Sequence, residues 1–157
     1  MKVTDLGESG LIDLIANMVE GQPIAKSNYN IDSRRILVNI GDDAAAICIG
    51  QRIELYTTDT LVEGVHFTEA TASWEDRGWK AIASNISDIA AMGGLPMNAL
   101  ITLGLPEQTN VEDVRNLYKG MINLAKDYAV TIIGGDIVRS PVLFITVGMT
   151  GEIESEP

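Results

Sequence analysis

Four places in the chain set carboxylates where chemistry is plausible. Asp42 and Asp43 follow Gly41 in "GDDAA" (41–45), and Asp59 follows Thr57 and Thr58 in "YTTDTLVEGVHF" (56–67). Asp136 closes the apolar run "AVTIIGGD", and Asp88 stands between Ile86 and Ile89 inside a helical pattern. Taken singly, an Asp after Gly at a strand end is ordinary turn chemistry. Asp88 is harder to explain that way, because an unpaired carboxylate on so apolar a helix is costly. Ser84 and Asp88 are four apart and share a helix face. Several carboxylates drawn to one point repel each other and require cations. Oxygen donors without Cys or His partners indicate a hard metal, Mg²⁺ rather than Zn²⁺. Mg²⁺ held by carboxylates commonly carries a polyphosphate as well.

The elements that must position these residues follow from periodicity. Leu11, Ile12, Ile15 and Val19 recur on one face of a helix over 9–20, with Ser9 as a cap. Residues 21–35 are rich in Gly, Pro, Ser and Asn and read as a mobile loop. "ILVNI" and "AAICI" are short apolar runs on either side of the GDD turn, and "RIELYTTD" is a strand. A long helix runs from Trp74 to Met92 and is stopped by Gly93, Gly94 and Pro96. "NALITLGLP" is a strand, 111–128 is an amphipathic helix, and "AVTIIGGD" and "VLFITVGMTG" are two further strands. The order β-β-α-β-α-β-β predicts an α+β fold, a mixed sheet with helices packed on one face.

Composition narrows the function classes. The 157 residues are 46% hydrophobic and 21% charged, enough for one domain with a true core. The formal charge of −11 argues against nucleic acid and anionic membrane surfaces as partners. A phosphate ligand remains compatible if a cation bridges it. Cys48 is the only cysteine, which excludes an intrachain disulfide and suits a reducing cytoplasmic setting. The first residues lack the basic-then-apolar pattern of a signal peptide. There is no G-x-x-x-x-G-K-[ST], no His-Arg-Asp catalytic loop and no G-x-S-x-G elbow. A nucleotide would therefore be held mainly through metal. His66 is the lone histidine and Tyr118 lies on an amphipathic helix; neither is assigned a role by its pattern alone, and Cys48 reads as core.

A family resemblance adds to this. "LGESGLIDLI" (6–15), "GDDAA" (41–45), "TTDTLVEGVHF" (57–67), "WKAIASNISDIAAMGGLP" (79–96) and "IIGGDIVRS" (132–140) run in order through nearly the whole chain. Together they resemble the N-terminal half of the thiamine-monophosphate kinase family, a branch of the superfamily named for aminoimidazole ribonucleotide synthetase. The resemblance implies ATP and thiamine monophosphate as substrates and Mg²⁺ as cofactor, with direct transfer of the γ-phosphoryl group. It implies metal binding by Asp43, Thr57, Thr58, Asp59, Asp88 and Asp136. It implies nucleotide contacts from Tyr118 and the Gly135–Asp136 pair, and a substrate contact from His66. It also implies a homodimer whose sheets pair into a barrel. The apolar runs "ELYTTD", "ALITLGL" and "LFITVGM" point the same way, since both faces of such a sheet need cover.

The family's enzymes are about twice this long. Residues 1–157 are therefore expected to be an N-terminal ATP/Mg-binding and dimerisation domain, with the C-terminal domain outside this chain. The alternatives are another ATP-using enzyme of the superfamily, such as selenophosphate synthetase or the hydrogenase-maturation dehydratase, or a non-catalytic dimerisation module.

Overall fold

A computed structural model describes residues 2–22 and 34–153. The elements are α1 (Val3–Val19), β1 (Arg34–Val38), β2 (Ala45–Ile49), β3 (Arg52–Val62), α2 (Trp74–Ala91), β4 (Leu95–Leu105), α3 (Val111–Asp127), β5 (Thr131–Arg139) and β6 (Phe144–Ile153). Three strands precede α2, where the sequence pattern counts two, because β1 and β2 are each only five residues long. The loop expected over 21–35 falls largely on residues 23–33, outside the described residues; Arg34 and Arg35 belong to β1.

The strands form one mixed sheet in the order β1-β2-β3-β6-β4-β5. All neighbours are antiparallel except β4 and β5. A parallel pair needs a crossover, which α3 supplies. The helix α2 connects β3 to β4, two strands that flank β6.

Both crossover helices cover the same face, as the α+β expectation requires. There Leu55, Ile101, Leu103, Ile145, Val147 and Met149 meet Ile82, Ile89, Leu117 and Met121, all at most 2% exposed. The two helices approach closely through glycines. A Cβ at Gly78 would overlap the Leu117 carbonyl oxygen, and one at Gly120 would overlap that of Glu75. The opening of α2 is fixed by a capping box, in which Ser73 Oγ accepts from the Asp76 N–H and Asp76 accepts from the Ser73 N–H. Cys48 is buried, as expected.

The first helix behaves differently. It begins at Val3, earlier than the apolar periodicity suggests, and breaks at Gly7, whose backbone is non-helical. Ser9 lies inside the helical run after that break, and the cap of α1 is Lys2 rather than Ser9. None of its residues is buried, and among the described residues it packs against no other element. Ile12, Ile15 and Met18 are exposed.

Sheet register corrects one sequence-based argument. Strand β6 reads as continuously apolar, yet burial alternates along it. Ile145, Val147 and Met149 face the helices, while Phe144, Thr146, Gly148 and Thr150 face away. The far face therefore carries Thr and Gly at its centre, with Ile36, Tyr56, Leu95, Leu100 and Val138 among its exposed apolar members. Thr60 and Thr146 hydrogen-bond across it at 2.9 Å.

Candidate functional site

The site is built where β3 passes beneath α2. Leu55 and Leu61 are buried on the helix side of β3, so Thr57 and Asp59, at the same parity, lie on that side too. Thr57 Oγ1 donates to Asp88 Oδ2 at 2.8 Å, joining strand to helix across 31 residues. The same hydroxyl lies 3.2 Å from the Asp43 carbonyl oxygen, bringing in the GDD turn. That turn is shaped by Gly41 at φ 117 and by the Asp43 N–H, which donates to Asp42 Oδ1 at 2.9 Å.

Electrostatics mark Asp88 as the centre of this group. Burial pushes its carboxyl above the ordinary aspartate value of 3.8, the Thr57 hydrogen bond pulls it down, and the charges of Asp59 and Asp43 push it up again. Like charges held this close favour a cation among them. Among the described residues no three Asp, Glu, His or Cys side chains converge closely enough to enclose a metal by themselves. Mg²⁺ does not ask for that: it keeps waters and takes one or two carboxylates, with substrate phosphates completing its shell. The donor set of Asp43, Thr57, Asp59 and Asp88 fits such an ion.

The other expected residues are placed elsewhere. Thr58 pairs with Gly148 and, at the opposite parity from Thr57, lies on the far side of the sheet. Asp136 is opposite Thr102 in the parallel pair, again on the side away from the helices. Its Oδ1 accepts from the Ile137 N–H at 2.9 Å. Two strands, β6 and β4, separate it from β3. Gly135 cannot be replaced freely, because a Cβ there would overlap the Ile101 carbonyl oxygen.

Tyr118 is half-buried and lines a cleft of about 420 Å³ with Ile122, Ala125, Lys126, Val130, Thr131 and Ile132. Burial raises its hydroxyl above the usual tyrosine range. The cleft opens at the start of β5, the strand that carries Gly135 and Asp136. His66 is exposed in the turn after β3, and its Nδ1 accepts from the Val62 N–H at 3.0 Å. Ser84, which shares a helix face with Asp88, donates instead to the Lys80 carbonyl at 3.0 Å.

Two buried polar residues escaped the sequence reading. Arg77 is 2% exposed and Asn85 is fully buried. Among the described residues, the Arg77 Nη1 and Asn85 Oδ1 atoms have no hydrogen-bond partner. A signal was present: Arg77, Ala81 and Asn85 recur at spacing four on the face that carries Ile82, Ile86 and Ile89. Polar residues within such an apolar stripe mark a site to inspect.

A mixed six-stranded sheet backed by two crossover helices, with oxygen donors gathered at one strand–helix seam, defines an α+β domain. The sequence pattern of the family described as AIR synthase related protein, N-terminal domain, matches residues 41–153, and the chain belongs to that family. It is 40% identical over 154 residues to the thiamine-monophosphate kinase of Aquifex aeolicus, covering 98% of this chain and 45% of that protein. It is 46% identical over 119 residues to the thiamine-monophosphate kinase of Bacillus subtilis, covering 74% and 37%. The solved structure of AaThiL complexed with AMPPCP and TMP superposes with a TM-score of 0.82 at 39% identity, covering 97% of this chain and 44% of that one. The chain thus spans less than half the length of the relatives it matches.

Proposed function

We propose that this chain is the N-terminal ATP/Mg-binding and dimerisation domain, residues 1–157, of a thiamine-monophosphate kinase. The whole protein moves the γ-phosphoryl group of ATP onto the phosphate of thiamine monophosphate, giving thiamine diphosphate and ADP in the cytoplasm. The observation that carries this reading is the gathering of Asp43, Thr57, Asp59 and Asp88 at one seam, in a chain akin to a protein solved with AMPPCP and TMP.

The chemistry suits the residues. One phosphorus–oxygen bond breaks at the β–γ bridge and another forms to an oxygen of the acceptor phosphate. That oxygen is already anionic at neutral pH, so no strong base is needed, and none is present among the four. The task is to align two anions that repel each other. When bound, Mg²⁺ would neutralise phosphate charge at this seam. Asp88 and Asp59 are its proposed anchors from the helix and the strand, with Thr57 fixing the Asp88 rotamer. Thr58 and Asp136 are proposed to meet metal from the far side of the sheet. Tyr118 and the Gly135–Asp136 pair are proposed for the nucleotide, and His66 for the acceptor. The Tyr118 cleft is mostly apolar and large enough to hold a nucleobase.

Incubation of the full-length protein with Mg²⁺, ATP and thiamine monophosphate tests the reading. Equal yields of thiamine diphosphate and ADP are expected. ATP turnover that ignores thiamine monophosphate would place the protein in another branch of the family. Absence of any Mg²⁺-dependent nucleotide binding would leave only a dimerisation module.

A further inference from the structure

We infer that Arg77 is a positioning residue for His66, holding the turn after β3 so that the imidazole presents a fixed Nε2–H donor to an anionic ligand oxygen. The functional part of this inference rests on the reading that His66 meets the acceptor phosphate.

Arg77 sits in the first turn of α2 and is 2% exposed. Among the described residues no carboxylate lies within ion-pairing distance of it. Its guanidinium carbon stands 4.9 Å from the Phe67 ring centre and 4.8 Å from that of Trp74. Its Nε donates to the Ala72 carbonyl at 3.1 Å, and Nη1 has no partner among the described residues. A guanidinium does not shed its proton, so this is a buried charge. An apolar side chain of similar length would fill the space without that cost. Packing of α2 alone therefore does not account for an arginine here.

What the guanidinium touches does account for it. Phe67 lies midway along residues 63–73, the segment that turns the chain from β3 into α2, Ala72 lies near its end, and His66 immediately precedes Phe67. The turn is closed by the Gly64 N–H donating to the Phe67 carbonyl at 2.8 Å and the His66 N–H donating to the Val62 carbonyl at 2.9 Å. One turn further along α2, Lys80 Nζ donates to the His66 carbonyl at 3.3 Å. Two cations of α2 thus grip the turn from one side. Within it, the Val62 N–H donates to His66 Nδ1, which leaves the neutral ring's proton on Nε2. A ring fixed this way offers a donor, and a phosphate oxygen is the matching acceptor. If Phe67 is freed, the backbone that aligns Val62 with Nδ1 is freed with it.

The tautomer can be read directly, because His66 is the only histidine in the chain. Nitrogen-15 shifts of the imidazole at alkaline pH should show the Nε2–H form alone in the wild-type chain, without the Nδ1–H minority that free histidine carries. Arg77→Met should retain the helical circular dichroism signal and shift the ring to the tautomer mixture of free histidine. Trp74→Leu, which removes one of the two aromatic plates, should move it the same way and serves if Arg77→Met does not fold. In the full-length protein, Arg77→Met should raise KM for the acceptor phosphate about tenfold, the loss of one charge-assisted hydrogen bond, and leave KM for ATP unchanged. A wild-type ring that carries the Nδ1–H minority of free histidine overturns the inference, as does an unchanged tautomer in either folded variant. His66→Ala with an unchanged acceptor KM would instead overturn the assignment of His66 to the acceptor, while the tautomer measurement still decides what Arg77 does.

Discussion

Asp88 combines three properties seldom found in one exposed-helix carboxylate: partial burial, a hydrogen bond from a strand hydroxyl, and two like charges nearby. Its folded carboxyl titrates above the unfolded value. For a raised acid, the stability contribution is fully present below the ordinary value of 3.8 and is lost as pH rises through the folded one. Asp88→Asn keeps an acceptor for Thr57 and removes the charge. In cation-free buffer the variant should melt at or slightly above the wild-type temperature at pH 7, and the difference should vanish toward pH 3. A variant that melts clearly lower at pH 7 would mean the carboxylate is structural. In the full-length protein the same change should remove several kcal/mol of transition-state stabilisation, about a thousandfold in kcat. Near wild-type turnover would sink the assignment. The seam of Asp43, Thr57, Asp59 and Asp88 was legible in part, because Asp88 interrupts an apolar helix and Asp43 sits in a Gly-Asp turn; Asp59, which the pattern set at a strand end, lies inside β3, which runs on to Val62. Arg77 was not legible, since its meaning lies in which two rings enclose it, and those rings are placed only by the fold.

At the scale of elements, α2 and α3 follow their sequence signals within a residue or two, because caps and stops are local chemistry. Their mutual contact was not legible. Gly78 and Gly120 look like weak points in two helices, and only the crossing shows why they are needed. Each lets its helix touch the other's backbone. Gly78→Ala should gain about 1 kcal/mol of helix propensity. It should lose more by forcing backbone from backbone, at the upper end of the roughly 1–3 kcal/mol typical of overpacking. The net expectation is a destabilised chain, read as a lower urea midpoint with an unchanged slope. Gly120→Ala should behave alike, and the double variant should lose less than the two single losses combined, because one widened crossing relieves both clashes. Strict additivity would show that the two contacts are independent. The alternation in β6 was hidden for a different reason: Gly and Thr on its outer face raise no polar signal between Ile145, Val147 and Met149.

Among the described residues, the molecule has one face of its sheet covered and one bare. Helices α2 and α3 lie on the first, and α1 covers neither among the described residues. The bare face carries Thr and Gly at its centre, where the strand sequences suggest an unbroken apolar surface. It still exposes Leu100 at 51% on the inner strand β4, with Tyr56 and Val138 also exposed. A leucine half-exposed on an inner strand is an unusual solvent contact for a monomer, and Thr and Gly neighbours let a second sheet approach closely. A two-fold pairing of these faces would also give Thr58 and Asp136, which a single copy places on that side, a role beside a second chain. The chain should therefore sediment at low micromolar concentration with twice its mass of 16.9 kDa. Leu100→Lys should leave the core intact, because the side chain points away from it. It should also set two like charges against each other across the two-fold axis, returning a monomer of unchanged circular dichroism. A wild-type chain that sediments as a monomer would remove the bare face from consideration as an interface. A Leu100→Lys chain that stays dimeric would move the contact to another surface, with the exposed side of α1 the first to test by an Ile15→Glu change.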